Sequence, residues 1–372
     1  MTDMKLGVIG AGAISDIYVS NMKDRFRGIE IAAIGSRGMK SAEAAAEKHG
    51  LRAASVDEML ADPEIEMCVI LTPVGSHYEL INRALKAGKH VYTEKTLTDD
   101  PAAAEELLKL AQEKGLQLGS APDTFLGSSL QTARKAVDSG MLGDIHSFAV
   151  SSTRCNDYFA SRYPFLRELG CGLLYDYAVY YVTALVSLLG PAAMVCGTVE
   201  NPYSVRKNIF RDSPDFGKSF SSPNESQVCA LMRMKSGVMG TLHIDADNTL
   251  RDEAYFRIYG SGGTLVLGNP NDFGGVVSFI PAARQPEEKP SAALLEPVSP
   301  LSDNCRGIGP AEMAAAIREG RPCRTDARMA YHVLDVLSSI LDSAERDNAV
   351  FIRSSCERPR PLEAEEAEAL LA

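Results

Sequence analysis

Two domains of different grammar are predicted: a doubly wound parallel α/β sheet over residues 1–122, then an α+β domain over residues 123–372 on a mostly antiparallel, open sheet. Three observations predict this. Up to Pro122, short apolar runs alternate with helical stretches, which is the pattern of βαβ units. Beyond it, strand-length segments follow one another across glycine turns, which suits antiparallel pairing. At roughly 150 residues per domain, 372 residues admit two or three domains.

Lys5–Ile9 reads as a buried strand, broken by Gly10–Gly12, with a helix to about Asp24. Glu30–Ile34, Met67–Leu71, His90–Glu94 and Leu116–Ala121 are the next strands. Between them, Ser41–His49 is an Ala/Glu/Lys helix, and Ser76–Ala87 is a helix stopped by Gly88. Asp100 as N-cap and Pro101 at the first helical position open a helix to Lys114. In the second domain, helices are predicted at Ser128–Ser139, Leu173–Leu189, Pro310–Glu319 and Asp326–Arg346. Strands are predicted at Ile145–Thr153, Met194–Glu200, Gln227–Met234, Val238–Asp245, Ala254–Tyr259 and Gly263–Leu267. Five prolines mark Pro281–Pro300 as a surface loop.

Acid outnumbers base, 49 to 38, and the net charge of −11 is spread along the chain. Without a basic body, nucleic-acid and anionic-membrane binding lack electrostatic footing. An apolar share of 45% and a charged share of 23% exclude whole-chain disorder. No window reaches the ~18 uninterrupted apolar residues of a membrane span. No apolar stretch with a cleavage site precedes the first strand, so a cytoplasmic location is expected. The eight scattered cysteines include no C-x-x-C pair. That is the usage of a reducing compartment, and no metal site is expected.

Gly10-Ala11-Gly12-Ala13-Ile14-Ser15 falls between the first strand and the first helix. The first Gly permits a tight turn, and the second lets backbone approach a pyrophosphate. The helix N-terminus offers N–H groups and a positive dipole end. Ser15 is small enough for close helix–strand packing. The position at the start of a βαβ unit is the context a Rossmann dinucleotide turn requires. At the end of the second strand stand Gly35-Ser36-Arg37, where an acidic residue would bind the ribose hydroxyls of NAD. Arg37 offers a fork for a ribose phosphate and Ser36 a hydroxyl, which favours NADP with NAD possible.

Further segments carry a resemblance. Thr72-Pro73-Val74-Gly75-Ser76-His77 is similar to the T-P-x-x-x-H segment of the Gfo/Idh/MocA family of NAD(P)-dependent oxidoreductases. Ala87–Lys95 is similar to its A-G-K-H-V-x-x-E-K-P motif, Gly170–Tyr180 to its G-G-G-x-L-x-D-x-G-x-H segment, and Tyr259–Leu265 to its Y-G-x-x-G-x-L turn. The resemblance runs from Leu6 to about Ala344, and is close to the glucose–fructose oxidoreductase and dihydrodiol dehydrogenase branches. Thr96 stands for the motif proline, Ala178 for a glycine and Tyr180 for the usual histidine. The two branches resemble this chain in having Tyr there as the acid–base residue.

The resemblance implies that Lys95 lies near the nicotinamide and the reacting carbon, faced by Asp176 and Tyr180. It implies that Gly10, Gly12, Ala13, Ile14, Thr72, Pro73, His77 and Glu94 shape the cofactor pocket. It also implies that the segment holding Arg154, Asn156, Asp157, Tyr158 and Arg162 meets substrate. The chemistry agrees. Oxidising an alcohol requires the protein to remove a proton while the cofactor takes hydride. A Lys just past a strand's C-terminal end points into the ligand crevice of a doubly wound sheet. Its ammonium can depress the pKa of a neighbouring phenol. Asp176 and Tyr180, four residues apart, fall on one face of an α-helix.

The expected activity is reversible oxidation of a secondary alcohol on a sugar, cyclitol or related diol. Lys95 and Tyr180 would handle the proton, Asp176 would orient them, and Lys95, Arg154, Asn156, Asp176 and Tyr180 would meet the substrate. Two alternatives stay open: a redox-neutral lyase or glycosidase with tightly held NAD, and a non-catalytic NADP-binding sensor. A late sheet with one face free of its own helices is expected to support a homodimer or homotetramer.

Overall fold

The computed structural model describes residues 3–168, 170–249, 253–285 and 287–372. In chain order these form β1 (Met4–Ile9), α1 (Ser15–Asp24), β2 (Ile29–Gly35), α2 (Met39–His49), α3 (Val56–Ala61), β3 (Met67–Ile70), α4 (His77–Lys86), β4 (His90–Thr93), α5 (Pro101–Lys114) and β5 (Leu118–Ser120). Next come α6 (Ser128–Asp138), β6 (Ile145–Thr153) and α7 (Asn156–Arg162). A helix α8 follows, opening as a π-turn over Leu174–Ala178 and continuing over Val179–Leu189. The strands β7 (Ala192–Glu200), β8 (Val205–Lys207), β9 (Ser219–Ser221), β10 (Gln227–Met234), β11 (Met239–Asp245), β12 (Glu253–Gly260), β13 (Gly263–Leu267), β14 (Ser278–Pro281) and β15 (Ala293–Leu294) come after it. The chain closes with α9 (Ile308–Arg318), α10 (Ala327–Arg346), β16 (Val350–Phe351) and α11 (Ala364–Leu370). No described helix is long and apolar enough to cross a membrane.

The chain divides into two compact units. The first holds residues up to Ser128 together with Val298–Tyr331 and Pro359–Ala372. Its five-stranded sheet has the order β2-β1-β3-β4-β5, all pairs parallel. β3 is buried at every position, as a central parallel strand covered on both faces must be. The order reverses between β1 and β3, so the crevice at their C-terminal ends is the switch point where ligands of such sheets bind. Asp100 caps α5 as expected, accepting from Ala102 and Ala103 N–H. Val298–Tyr331 and Pro359–Ala372 return to this unit, whereas a split at 122 leaves them in the second domain. The physical reason is edge pairing and a buried ion-pair network. Ser120 N–H donates to Thr325 O at 2.9 Å. Glu312, wholly buried on α9, binds Arg321 at 2.6 Å and Arg324 at 2.7 Å.

The second unit spans Ser129–Pro297 and His332–Arg358, the division falling inside α10. Its nine-stranded sheet runs β15-β14-β13-β12-β6-β11-β10-β7-β16, antiparallel except for β6–β11. One face is apolar and buried, with Val228, Ala230, Met232, Leu242, Ile244, Phe256 and Ile258. Helix α10 lies on that face: a Cβ on Gly197 would come 3.1 Å from Ile340 Cγ2. The other face leaves Leu231, Met239 and Tyr255 exposed. The strands β8, β9, β14 and β16 are additions to the expected set, and two further segments differ from expectation. Residues 156–162, expected as part of a connecting segment, form α7, whose start is pinned where Asn156 N–H donates to Ala246 O at 2.7 Å. The segment after Pro281 contains β15, which pairs with β14.

Candidate functional site

In the first unit the expected cofactor residues gather at the C-terminal ends of the parallel strands. Gly10, leaving β1, has φ +125°, and its N–H donates to Gly35 O at 2.7 Å. A Cβ there would lie 2.6 Å from Leu71 O, so only glycine lets the exits of β1 and β3 pass this closely. A Cβ on Gly12 would meet nothing within 4 Å, so the space above it is open. Ala13 and Ile14 are exposed beside it. Helix α1 starts there with no side-chain cap on its first N–H groups. Ser15 turns inward and donates to Gly12 O at 2.6 Å. An open backbone cradle at an uncapped helix start fits the pyrophosphate of a dinucleotide.

At the end of β2, Ser36 Oγ donates to Gly38 O at 2.7 Å and Arg37 is exposed. No carboxylate occupies this strand end.

The loops after β3 and β4 are tied together by one side chain. His77, wholly buried, sets Nε2 2.8 Å from Thr72 O and Nδ1 2.8 Å from Thr96 O. Burial pushes its pKa down, while the two carbonyls and the Glu94 charge pull it up. With both nitrogens on backbone oxygens and no exposed surface, His77 braces the loops rather than touching a ligand. Thr72 also accepts Ser76 Oγ–H at 2.8 Å, and Pro73 starts the turn between them. Lys95 follows β4, and its peptide bond to Thr96 is cis.

Glu94 holds the backbone of Lys95: its Oε2 accepts Lys95 N–H at 3.1 Å, and its Oε1 accepts the Tyr18 hydroxyl at 2.6 Å. Tyr18 is fully buried on α1, and burial raises its pKa well above the usual phenol value. Beneath it lies Asp123, buried, accepting from Gly307 and Gly309 N–H at 3.2 and 3.1 Å at the start of α9. Burial pushes the Asp123 carboxyl up to about 6, against the pull of Arg306 and these two N–H groups. Sequence reasoning missed Tyr18 and Asp123. The placement of Asp123 directly after Pro122, at the domain's expected end, was the available signal.

In the second unit the polar residues expected to meet substrate are already engaged with one another. Arg154 Nη1 lies 2.8 Å from Asp176 Oδ2, with 12% and 14% of the two side chains exposed. The guanidinium stacks 3.9 Å from the Phe159 ring centroid and 4.5 Å from that of Tyr177. Arg154 is therefore a partner of Asp176 first. Asn156 begins α7, Asp157 pairs with Arg206 at 3.0 Å, and Tyr158 meets Phe159 and Phe210 edge-on. Arg162 stacks 5.1 Å from the Phe210 ring centroid. Tyr180 lies on α8, 9% exposed. The π-turn ends at Ala178, so the step from Asp176 to Tyr180 crosses a widened turn. The one-face register of an ideal α-helix does not carry over unchanged.

Among the described residues, no cluster of three or more His, Cys, Asp and Glu groups could hold a metal ion.

Two family models match the chain: an oxidoreductase family model with an NAD-binding Rossmann fold over residues 4–121, and the GFO/IDH/MocA C-terminal domain over residues 130–266. The chain belongs to the Gfo/Idh/MocA oxidoreductase family. Among its relatives, dTDP-3,4-didehydro-2,6-dideoxy-alpha-D-glucose 3-reductase of Streptomyces violaceoruber is 35% identical over 203 residues, 53% of this chain and 59% of that protein. The scyllo-inositol 2-dehydrogenase (NADP(+)) of Bacillus subtilis is 27% identical over 226 residues, 58% of this chain and 60% of that protein. The first four relatives are matched over only 40% to 60% of their own lengths. Levoglucosan dehydrogenase in complex with NADH and L-sorbose has a TM-score of 0.81 at 18% identity, covering 95% of this chain and all of that one. At that identity the likeness concerns the fold.

Proposed function

We propose that this chain is an NAD(P)-dependent dehydrogenase or reductase acting on a secondary alcohol of a sugar, cyclitol or related diol, with NADP preferred. The observation that carries the proposal is the open cradle at Gly12 before an uncapped helix, in a chain of an oxidoreductase family. Relatives named for a deoxysugar and an inositol support the substrate class. Gly10, Gly12, Ala13 and Ile14 would hold the pyrophosphate, Ser36 and Arg37 the ribose phosphate, and Thr72 and Pro73 the nicotinamide side. The dinucleotide, when bound, supplies the hydride acceptor.

This chain's own residues handle the rest. Lys95 and Tyr180 remove the hydroxyl proton in the oxidative direction and return it in the reverse. Tyr in place of histidine removes a group that titrates near neutral pH. Asp176 orients the proton-carrying groups and is itself fixed by Arg154. Glu94, Tyr18 and His77 hold the backbone on either side of Lys95.

The exposed Leu231, Met239 and Tyr255 on one sheet face support a homodimer or homotetramer, and we place the protein in the cytoplasm. A monomeric mass by light scattering at micromolar concentration overturns the assembly. The activity is tested by screening sugars, inositols and glycosides with each cofactor, reading reduced nicotinamide by absorbance. Turnover with NADP that is lost in Tyr180→Phe and Lys95→Met supports the proposal. Product release without reduced cofactor points instead to a redox-neutral lyase. Tight NADPH binding with no turnover points to a sensor.

A further inference from the structure

The helix carrying Asp176 and Tyr180 is held at its start from outside. The first N–H groups of any helix lack intrahelical partners. At α8, Leu173 N–H donates to the main-chain oxygen of Glu225 at 3.4 Å, and Leu174 N–H donates to the Glu225 carboxylate at 2.9 Å. The carboxylate lies directly over Gly172, where a Cβ would overlap it. Glycine at 172 is what admits the acid. Asp176 N–H in turn donates to Gly172 O at 2.9 Å, so the clamped residue is also the first acceptor of the turn.

Glu225 arrives on the excursion 201–226 between β7 and β10, which grips the same region elsewhere. Asn224 Oδ1 accepts Gly170 N–H at 3.0 Å, and its Nδ2 donates to Glu168 O at 2.7 Å. Ile209 N–H donates to Ser161 Oγ at 2.9 Å, and Arg206 binds Asp157. A carboxylate at a helix start is also favoured by the helix dipole. Burial raises the Glu225 pKa, and the Leu174 N–H bond opposes the rise.

We propose that Glu225 is a positioning residue for the reaction: its carboxylate holds the π-turn that opens α8 and so sets the orientation of Asp176 and Tyr180. The proposal rests on the proton roles assigned above. It gives the 201–226 excursion a function that motif matching does not reach, because Glu225 lies outside every motif segment.

The test compares full-length wild type with Glu225→Ala, Glu225→Gln, Gly172→Ala and Tyr180→Phe. Rates are measured with scyllo-inositol and NADP, NADPH affinity by nicotinamide fluorescence, and hydrogen exchange on peptides covering residues 172–182. Glu225→Ala is expected to lower kcat at least tenfold, with KM within threefold and NADPH affinity unchanged. Exchange near 173–176 is expected to rise. Glu225→Gln, which keeps an acceptor oxygen for Leu174, restores kcat to within threefold of wild type. Gly172→Ala, whose methyl group displaces the carboxylate, reproduces Glu225→Ala.

A Glu225→Ala kcat within twofold of wild type, alongside an inactive Tyr180→Phe, overturns the proposal. So does a loss of NADPH affinity as large as the loss of kcat, which marks general damage. A fully active Tyr180→Phe sinks only the proton assignment. The exchange measurement needs no substrate and then decides the matter: unchanged exchange in Glu225→Ala overturns the clamp.

Discussion

Replacing Arg154 by alanine removes three contacts at once: the 2.8 Å ion pair with Asp176 and the stacks on Phe159 and Tyr177. Both charged side chains are less than 15% exposed, so water screens the pair weakly. Removing one member of a buried pair costs about 3–5 kcal/mol. Residual exposure puts Asp176 near the lower end, about 3 kcal/mol. The two cation–π contacts add about 0.5–1 kcal/mol each. Arg154→Ala should therefore destabilise the second unit by about 4 kcal/mol, a fall in Tm of about 8–16 °C for a unit of this size. Neutralising Asp176 as well should recover part of the loss. Arg154→Ala/Asp176→Asn is expected to be about 2 kcal/mol more stable than Arg154→Ala. Arg154→Lys, which keeps the charge but loses the planar stack, should cost about 1–2 kcal/mol. The chain has no Trp, so urea unfolding is best followed by circular dichroism. Arg154→Ala and Asp176→Asn effects that add to within about 0.5 kcal/mol in the double variant would refute the coupling.

Gly12→Ala should leave Tm unchanged, because a methyl group there meets no protein atom, yet weaken NADPH binding about tenfold, or about 1.4 kcal/mol. A thermal scan checks the first half and calorimetric titration the second, and unchanged affinity counts against the cradle. Arg37→Ala should raise the Kd for NADPH about tenfold and leave that for NADH within threefold, read by nicotinamide fluorescence. Asp123 carries a pH signature. Its folded carboxyl titrates at about 6 against an ordinary value of 3.8, so the folded chain holds a proton that the unfolded chain has lost. That contribution is fully present below about pH 4 and is lost as pH rises through about 6, a change on the order of 3 kcal/mol. Asp123→Asn keeps an acceptor for Gly307 and Gly309 and should flatten the stability profile between pH 4 and 6. Urea midpoints across that range test it, and a profile identical to wild type refutes it.

Much of the first unit was legible because its signals are local. Asp100-Pro101 announces both the cap and the first turn of α5, and apolar runs such as Met67–Ile70 are long enough to be read as buried strands. Gly10 could be read as well, since a tight turn between strand and helix demands it. Helix α3 was missed: six residues are too few to show a period, although the Ser55–Glu58 capping box was there to be seen. The π-turn is invisible to a 3.6-residue pattern. Glu225, Arg206 and Tyr18 act across 51, 41 to 49 and 76 residues of chain, and no spacing rule links such partners. The return of residues 298–331 to the first unit has the same cause, since edge pairing of Thr325 with Ser120 is a tertiary event.

The reaction proposed for this chain is net hydride transfer from substrate carbon to nicotinamide. The direct test incubates the chain with NADP and the best substrate from the sugar and inositol screen, deuterated at every carbon, and weighs the recovered cofactor by mass spectrometry. Net transfer gives reduced cofactor one deuterium heavier, formed in step with the ketone and absent in Tyr180→Phe. Product formed with the cofactor unlabelled and still oxidised would contradict it.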